Sequence, residues 1–110
     1  MSSHPYAAFI EAEVTLLRPE DGGRRSGIRT GYRCNCHLDG EPADSDHDAT
    51  FHLLDVDTIA PGVTARARVH PHHPDDWRLL ETGSTFELRE GARVIGRAVV
   101  VELFPLDPAS

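Results

Sequence analysis

Apolar and polar residues alternate with a period of two along most of this chain, the pattern of strands that bury one face. Ile10, Ala12, Val14 and Leu16 fall on one side of a first segment, with Glu11, Glu13 and Thr15 on the other. A second segment sets Tyr32, Cys34, Cys36 and Leu38 inward and Arg33, Asn35 and His37 outward. A third strand is predicted to begin at Phe51 and Leu53. Val63, Ala65, Ala67 and Val69 form the inner face of a fourth, with Arg66 and Arg68 outside, and Phe86 and Leu88 mark a fifth. The sixth, from Val94 to Leu103, is apolar on both faces except at Arg97 and Glu102. Such a strand is buried on both sides or changes face at a bulge, for which Gly96 is the suited position.

Turn chemistry fills the gaps. Glu20-Asp21-Gly22-Gly23, Asp39-Gly40-Glu41-Pro42, Ala60-Pro61-Gly62 and Glu90-Gly91 supply the Gly and Pro that chain reversal needs. No stretch sustains a helical period. The fold class expected is therefore all-β, six strands in a small antiparallel barrel or sandwich, and closure is attractive because it removes exposed edges. A chain of 110 residues has room for one domain with one core.

Charge changes this picture only locally. The net charge of −7 repels nucleic acid and anionic membrane at long range. Seven acids and no Arg lie between Asp39 and Asp57, whereas Arg24, Arg25, Arg29 and Arg33 crowd one earlier segment and Arg89, Arg93 and Arg97 a late one. Such clusters read either as a mixed, solvated surface or as a local anion site. The longest apolar stretch, Ala98 to Phe104, is short and interrupted by Glu102, so no membrane span is expected. The first residues lack the basic and apolar regions of a secretory signal, and a cytoplasmic location is the expectation.

Two blocks go beyond a generic β pattern. The first holds Glu11-Ala12-Glu13-Val14, then Gly22-Gly23-Arg24, then Gly31-Tyr32-Arg33; the second holds Pro61-Gly62, then Arg89-Glu90-Gly91 and Arg93. Their order and spacing resemble the C-terminal domain (domain 3) of elongation factor Tu over roughly residues 9–103. The resemblance implies a six-stranded antiparallel barrel at 9–104, with tails at 1–8 and 105–110. It also implies contacts with a GTPase domain, an exchange factor and the T-arm of tRNA, none of which needs catalysis by the barrel. Arg24 and Arg33 match the family's loop and turn arginines, and Arg89, Glu90 and Gly91 match its last hairpin, near the tRNA backbone. A Gly that exposes its amide beside an Arg fork suits phosphate. Ala92, Arg97 and Cys34 depart from the family's second Gly, small residue and Pro at those positions, and the segment from Pro71 to Gly83 looks rebuilt and is rich in His and Asp. The same glycines, Arg and Glu also suit a purely structural role, as turns and braces.

Other chemistry finds less support. Cys34, Cys36, His70 and His72 are zinc-ligand types and give an alternative metal-binding reading. Against it, both cysteines fall on the inward face, and Cys-x-Cys is not the usual zinc spacing. A Cys34–Cys36 disulfide is not expected. No nucleophile at a strained turn accompanies the His70–Asp76 cluster, His47 and Asp48 read as a solvated loop tip, and Trp77 reads as a packing residue. The chain has no Lys and hence no phosphate-cradling Gly-x-x-x-x-Gly-Lys loop. The expectation is a stand-alone, non-enzymatic binding module without a cofactor. Its surface would comprise Arg24, Arg33, Arg89, Glu90, Gly91, Arg93 and Arg97. A protein partner, either a translational GTPase or an exchange factor, ranks above tRNA because of the acidic balance. A barrel repurposed outside translation is the remaining alternative.

Overall fold

Six of the eight strands among the described residues close into an antiparallel barrel, in the order β1-β6-β4-β3-β7-β8. The computed structural model describes residues 7–105. The strands are β1 (Ala7–Leu16), β2 (Ile28–Arg29), β3 (Tyr32–Leu38), β4 (His47–Leu53), β5 (Thr58–Ile59), β6 (Thr64–Pro71), β7 (Thr85–Glu90) and β8 (Arg93–Pro105). Of the expected tails, residues 1–6 and 106–110 lie outside the described residues.

Alternation translates directly into the core. Ile10, Ala12, Val14 and Leu16 from β1 meet Ala67 and Val69 from β6, Ala49 and Phe51 from β4, and Cys34, Cys36 and Leu38 from β3. Phe86 and Leu88 of β7 and Ile95, Ala98 and Val100 of β8 complete the lining. A barrel of six strands has a narrow interior, so inward positions mix small and large side chains. Ala12 lies directly opposite Ala67, for example, and leaves room for Phe51 and Phe86.

Both barrel ends are plugged. The short β2 and β5 strands pair Ile28 with Ile59, and both side chains are buried where the chain enters β3 and β6. At the opposite end a 3₁₀ turn, Pro74–Trp77, folds Trp77 inward to 1% exposure, edge-on to Phe86 at 5.2 Å. Trp77 is thus a packing residue, as its isolation in a polar segment suggested.

Three boundaries differ from the periodic reading. β4 begins at His47 and ends at Leu53: Ala49 and Phe51 are buried and Leu53 packs partly against the core, whereas the polar residues before Ala49 carry no apolar period. Val63 is 45% exposed in the Pro61–Gly62 turn, so β6 starts at Thr64 and its buried face is Ala67, Val69 and Pro71. β2 and β5 are two residues each, too short to show a period at all.

β8 resolves its two-faced apolarity by bulging. Leu88 pairs with Gly96 and Arg89 with Val94, leaving Ile95 as an extra residue beside Gly96. A second bulge, where Glu11 pairs with Glu102 and Ala12 with Val100, has no glycine to mark it.

Candidate partner-binding surface

The turn after β1 brings Arg24 to the mouth of the barrel. Gly23 makes this possible, since a Cβ there would lie 2.2 Å from the carbonyl oxygen of Leu17. The backbone can pass so close to β1 only without a side chain. Arg24 then lies over the ring of Tyr32, with its guanidinium carbon 5.3 Å from the centroid, within cation–π range.

Glu90, the last residue of β7, receives this arginine. Arg24 Nη1 donates to Glu90 Oε2, and the hydroxyl of Tyr32 donates to the same oxygen at 2.7 Å. Across the hairpin turn, Arg93 Nη2 donates to Glu90 Oε1 at 3.3 Å. Gly91 allows that turn with φ +64°, in the left-handed region that favours glycine. Two segments distant in sequence, 24–32 and 90–93, therefore meet at one carboxylate.

Electrostatics follow from the geometry. Burial by itself would raise the Glu90 pKa, but the hydrogen bonds from Tyr32 and Arg24 outweigh it and hold the carboxyl below its ordinary value. Burial first, and then the bond to Glu90, push the Tyr32 phenol far up. Burial would lower the Arg24 pKa, but Glu90 and Tyr32 together raise the guanidinium in net. All three groups are thereby fixed in their neutral-pH charge states.

The remaining candidates divide between this cluster and a second one. Arg33 is exposed and reaches towards Asp48 at 3.9 Å. Together with Asn35, Arg89, Glu90 and Gly91 it lines a shallow groove of about 340 Å³. Arg89 is largely covered and serves as a brace: Nη2 and Nε donate to Glu87 Oε1 at 2.8 and 3.2 Å, and Nη1 donates to the carbonyl of Ala43 at 3.0 Å. Arg97 donates to the other Glu87 oxygen at 3.3 Å. Glu87 is the hub of this second cluster.

Residues outside the candidate set complete the surface. Tyr32 is half-buried, its ring against Phe51 and its hydroxyl outside; only its place in the Gly-Tyr-Arg motif signalled it. Arg29, Ser26 and Thr58 border a broader groove of about 680 Å³ that Arg24 and Tyr32 also line. Among the described residues Arg25 and Arg29 form no ion pair.

The alternative metal set is not brought together. Cys34 and Cys36 point into the barrel from β3, and burial pushes the Cys36 thiol well up. His70 and His72 belong to β6 and the residue after it, with β4 standing between β6 and β3. His70 packs outside against Phe9 and His52, and burial lowers its pKa. His72 shares a hydrogen bond with Thr50 at 2.8 Å. Among the described residues no three His, Cys, Asp or Glu side chains converge as a metal group. His47 also departs from expectation: it lies in β4, and its Nε2 donates to Glu41 at 2.7 Å.

Compared with known protein families, residues 3–104 match the elongation factor Tu C-terminal domain. Among the described residues no helix is long and apolar enough to cross a membrane.

Proposed function

This chain belongs to the elongation factor Tu C-terminal domain family, and from that premise we propose that it binds a protein of the translation apparatus through the surface centred on Glu90. The family makes it a translation-related binding module. The partner is a translational GTPase domain or an exchange factor, and the module acts in the cytoplasm without catalysis or a cofactor.

One observation carries the ranking of protein over tRNA. Glu90 already takes Arg24, Tyr32 and Arg93, and Asp48 faces Arg33. The surface is therefore a mosaic of both signs, not an uncompensated basic strip. Phosphate recognition needs net positive charge that releases counterions, whereas a mosaic is suited to a protein face of complementary pattern. The same saturation supports a non-catalytic role. A general acid or base works best with a pKa near the working pH, and here the carboxyl is lowered and the phenol raised.

The test is capture from a lysate by the wild-type chain and by Arg33→Glu/Arg93→Glu, with and without RNase. A translational GTPase or exchange factor held by the wild type in both conditions, and released by the variant, supports the reading. Capture of tRNA alone, abolished by RNase, would replace it with an RNA-binding role in which Arg25 and Arg29 supply the free charge.

A further inference from the structure

β3 runs from the Glu90 surface to a second concavity at the other barrel end, ~20 Å away at about 3.3 Å per residue. This concavity lies between the turn at residues 38–41 and the segment 76–85. Leu38, Leu79 and Leu80 line it together with Asp39, Glu41 and Asp76, and it encloses about 430 Å³. That volume lies within the range of sites that seat a ligand or a few side chains.

Its apolar part is incomplete. Leu38 is 5% exposed and Leu80 packs against the core, but Leu79 is 87% exposed, the most of any large apolar side chain among the described residues. A leucine held in water beside an apolar floor marks a surface that gains by being covered.

Its charged part is of one sign. The charged side chains that line it are Asp39, Glu41 and Asp76, with no Arg or His among them. Neighbours hold all three in place. Thr85 Oγ1 donates to Asp39. His47 Nε2 donates to Glu41 at 2.7 Å, and its Nδ1 lies 3.5 Å from Asp76, the ring itself edge-on to Trp77. The nearby Arg89 is spent on Glu87 and the Ala43 carbonyl.

We propose that this concavity docks a basic peptide segment of a partner protein. An apolar side chain enters between Leu38, Leu79 and Leu80, and flanking Arg or Lys meet Asp39, Glu41 and Asp76. Charge complementarity selects this occupant, since among the described residues no arginine pairs with Asp39, Glu41 or Asp76, and an acidic segment would add like charge to them. The proposal is independent of the Glu90 surface, which lies at the other end of β3.

The experiment uses the full chain and three synthetic peptides: Arg-Arg-Phe-Leu-Arg-Arg, Glu-Glu-Phe-Leu-Glu-Glu and Arg-Arg-Ser-Ser-Arg-Arg. Binding is read by the fluorescence of Trp77, the only tryptophan of the chain. The first peptide is expected to bind at least about tenfold more tightly than either control, and Leu79→Ser or Asp39→Asn/Glu41→Gln to lose about tenfold of that preference. Arg33→Glu/Arg93→Glu leaves it unchanged, which separates this site from the Glu90 surface. Leu79 is exposed, so its serine variant is expected to keep the wild-type melting temperature. Equal binding of the two arginine peptides would overturn the proposal. So would concentration-dependent self-association abolished by Leu79→Ser, which would make a second copy of the chain the occupant.

Discussion

The hydroxyl of Tyr32, the first residue of β3, donates to Glu90, the last residue of β7, at 2.7 Å. β3 and β7 are neighbours in the barrel, but their ladder pairs run only from Asn35–Arg89 to Leu38–Phe86. The Tyr32–Glu90 bond therefore closes the splayed end of the strand pair with side chains. Arg24 on the same oxygen ties in the loop after β1.

Stability should therefore depend on pH in a way that Glu90 sets. Its folded pKa lies below the ordinary 4.5, so its contribution is complete above about pH 4.5 and is lost as pH falls through the folded value. Urea titrations of wild type and Glu90→Gln should show the wild-type advantage at pH 7 shrinking below pH 4.5. A constant difference between the two would refute the assignment.

Tyr32 predicts the opposite limb. Its folded pKa is raised above the ordinary 10, so the stability it contributes is complete below pH 10 and declines as pH rises beyond it. Tyr32→Phe should lose about 1.5–3 kcal/mol at pH 7, the range for a hydrogen bond to a charged group. The variant should lack the part of the alkaline decline that comes from this phenol, which absorbance at the phenolate band would follow directly.

Glycine positions of the surface should separate by mechanism. Gly23→Ala forces a methyl against the Leu17 carbonyl at 2.2 Å, and backbone there must move. A loss of about 3 kcal/mol is expected, as for overpacking, with Arg24 displaced from Glu90. Gly91→Ala meets no atom within 4 Å and strains only its φ of +64°, for about 1 kcal/mol. Denaturant midpoints measure both. Partner capture should fail more completely for the first.

The barrel was legible because its inner face repeats. Ile10 through Leu16 and Cys34 through Leu38 are buried on alternate residues as their pattern demands. The Gly-Gly-Arg and Arg-Glu-Gly motifs also pointed to one place, since Arg24 and Glu90 meet across 66 residues. Alternation does not say what an outward side chain will find. Arg89 and Arg93 look alike in sequence, but Arg89 folds onto Glu87 while Arg93 reaches Glu90. His47 sat in an acidic run with no apolar period. Its place beside Glu41 and Asp76 depends on a register with β3 and a 3₁₀ turn that only the closed barrel creates.

Trp77 offers the sharpest test of how that end is held. The indole is 1% exposed against Phe86, and its Nε1 finds no hydrogen-bond partner among the described residues. Trp77→Ala removes a large buried side chain and should cost about 3–5 kcal/mol. Trp77→Phe loses volume but also removes an unpaired buried donor, whose presence already costs free energy. Its penalty should therefore be about 1 kcal/mol or less, read by urea titration with circular dichroism. An equal loss in both variants would mean that the indole N–H has a partner and anchors the turn through it. If Trp77→Phe stays near wild type, apolar packing is what holds the segment that carries Leu79 and Asp76.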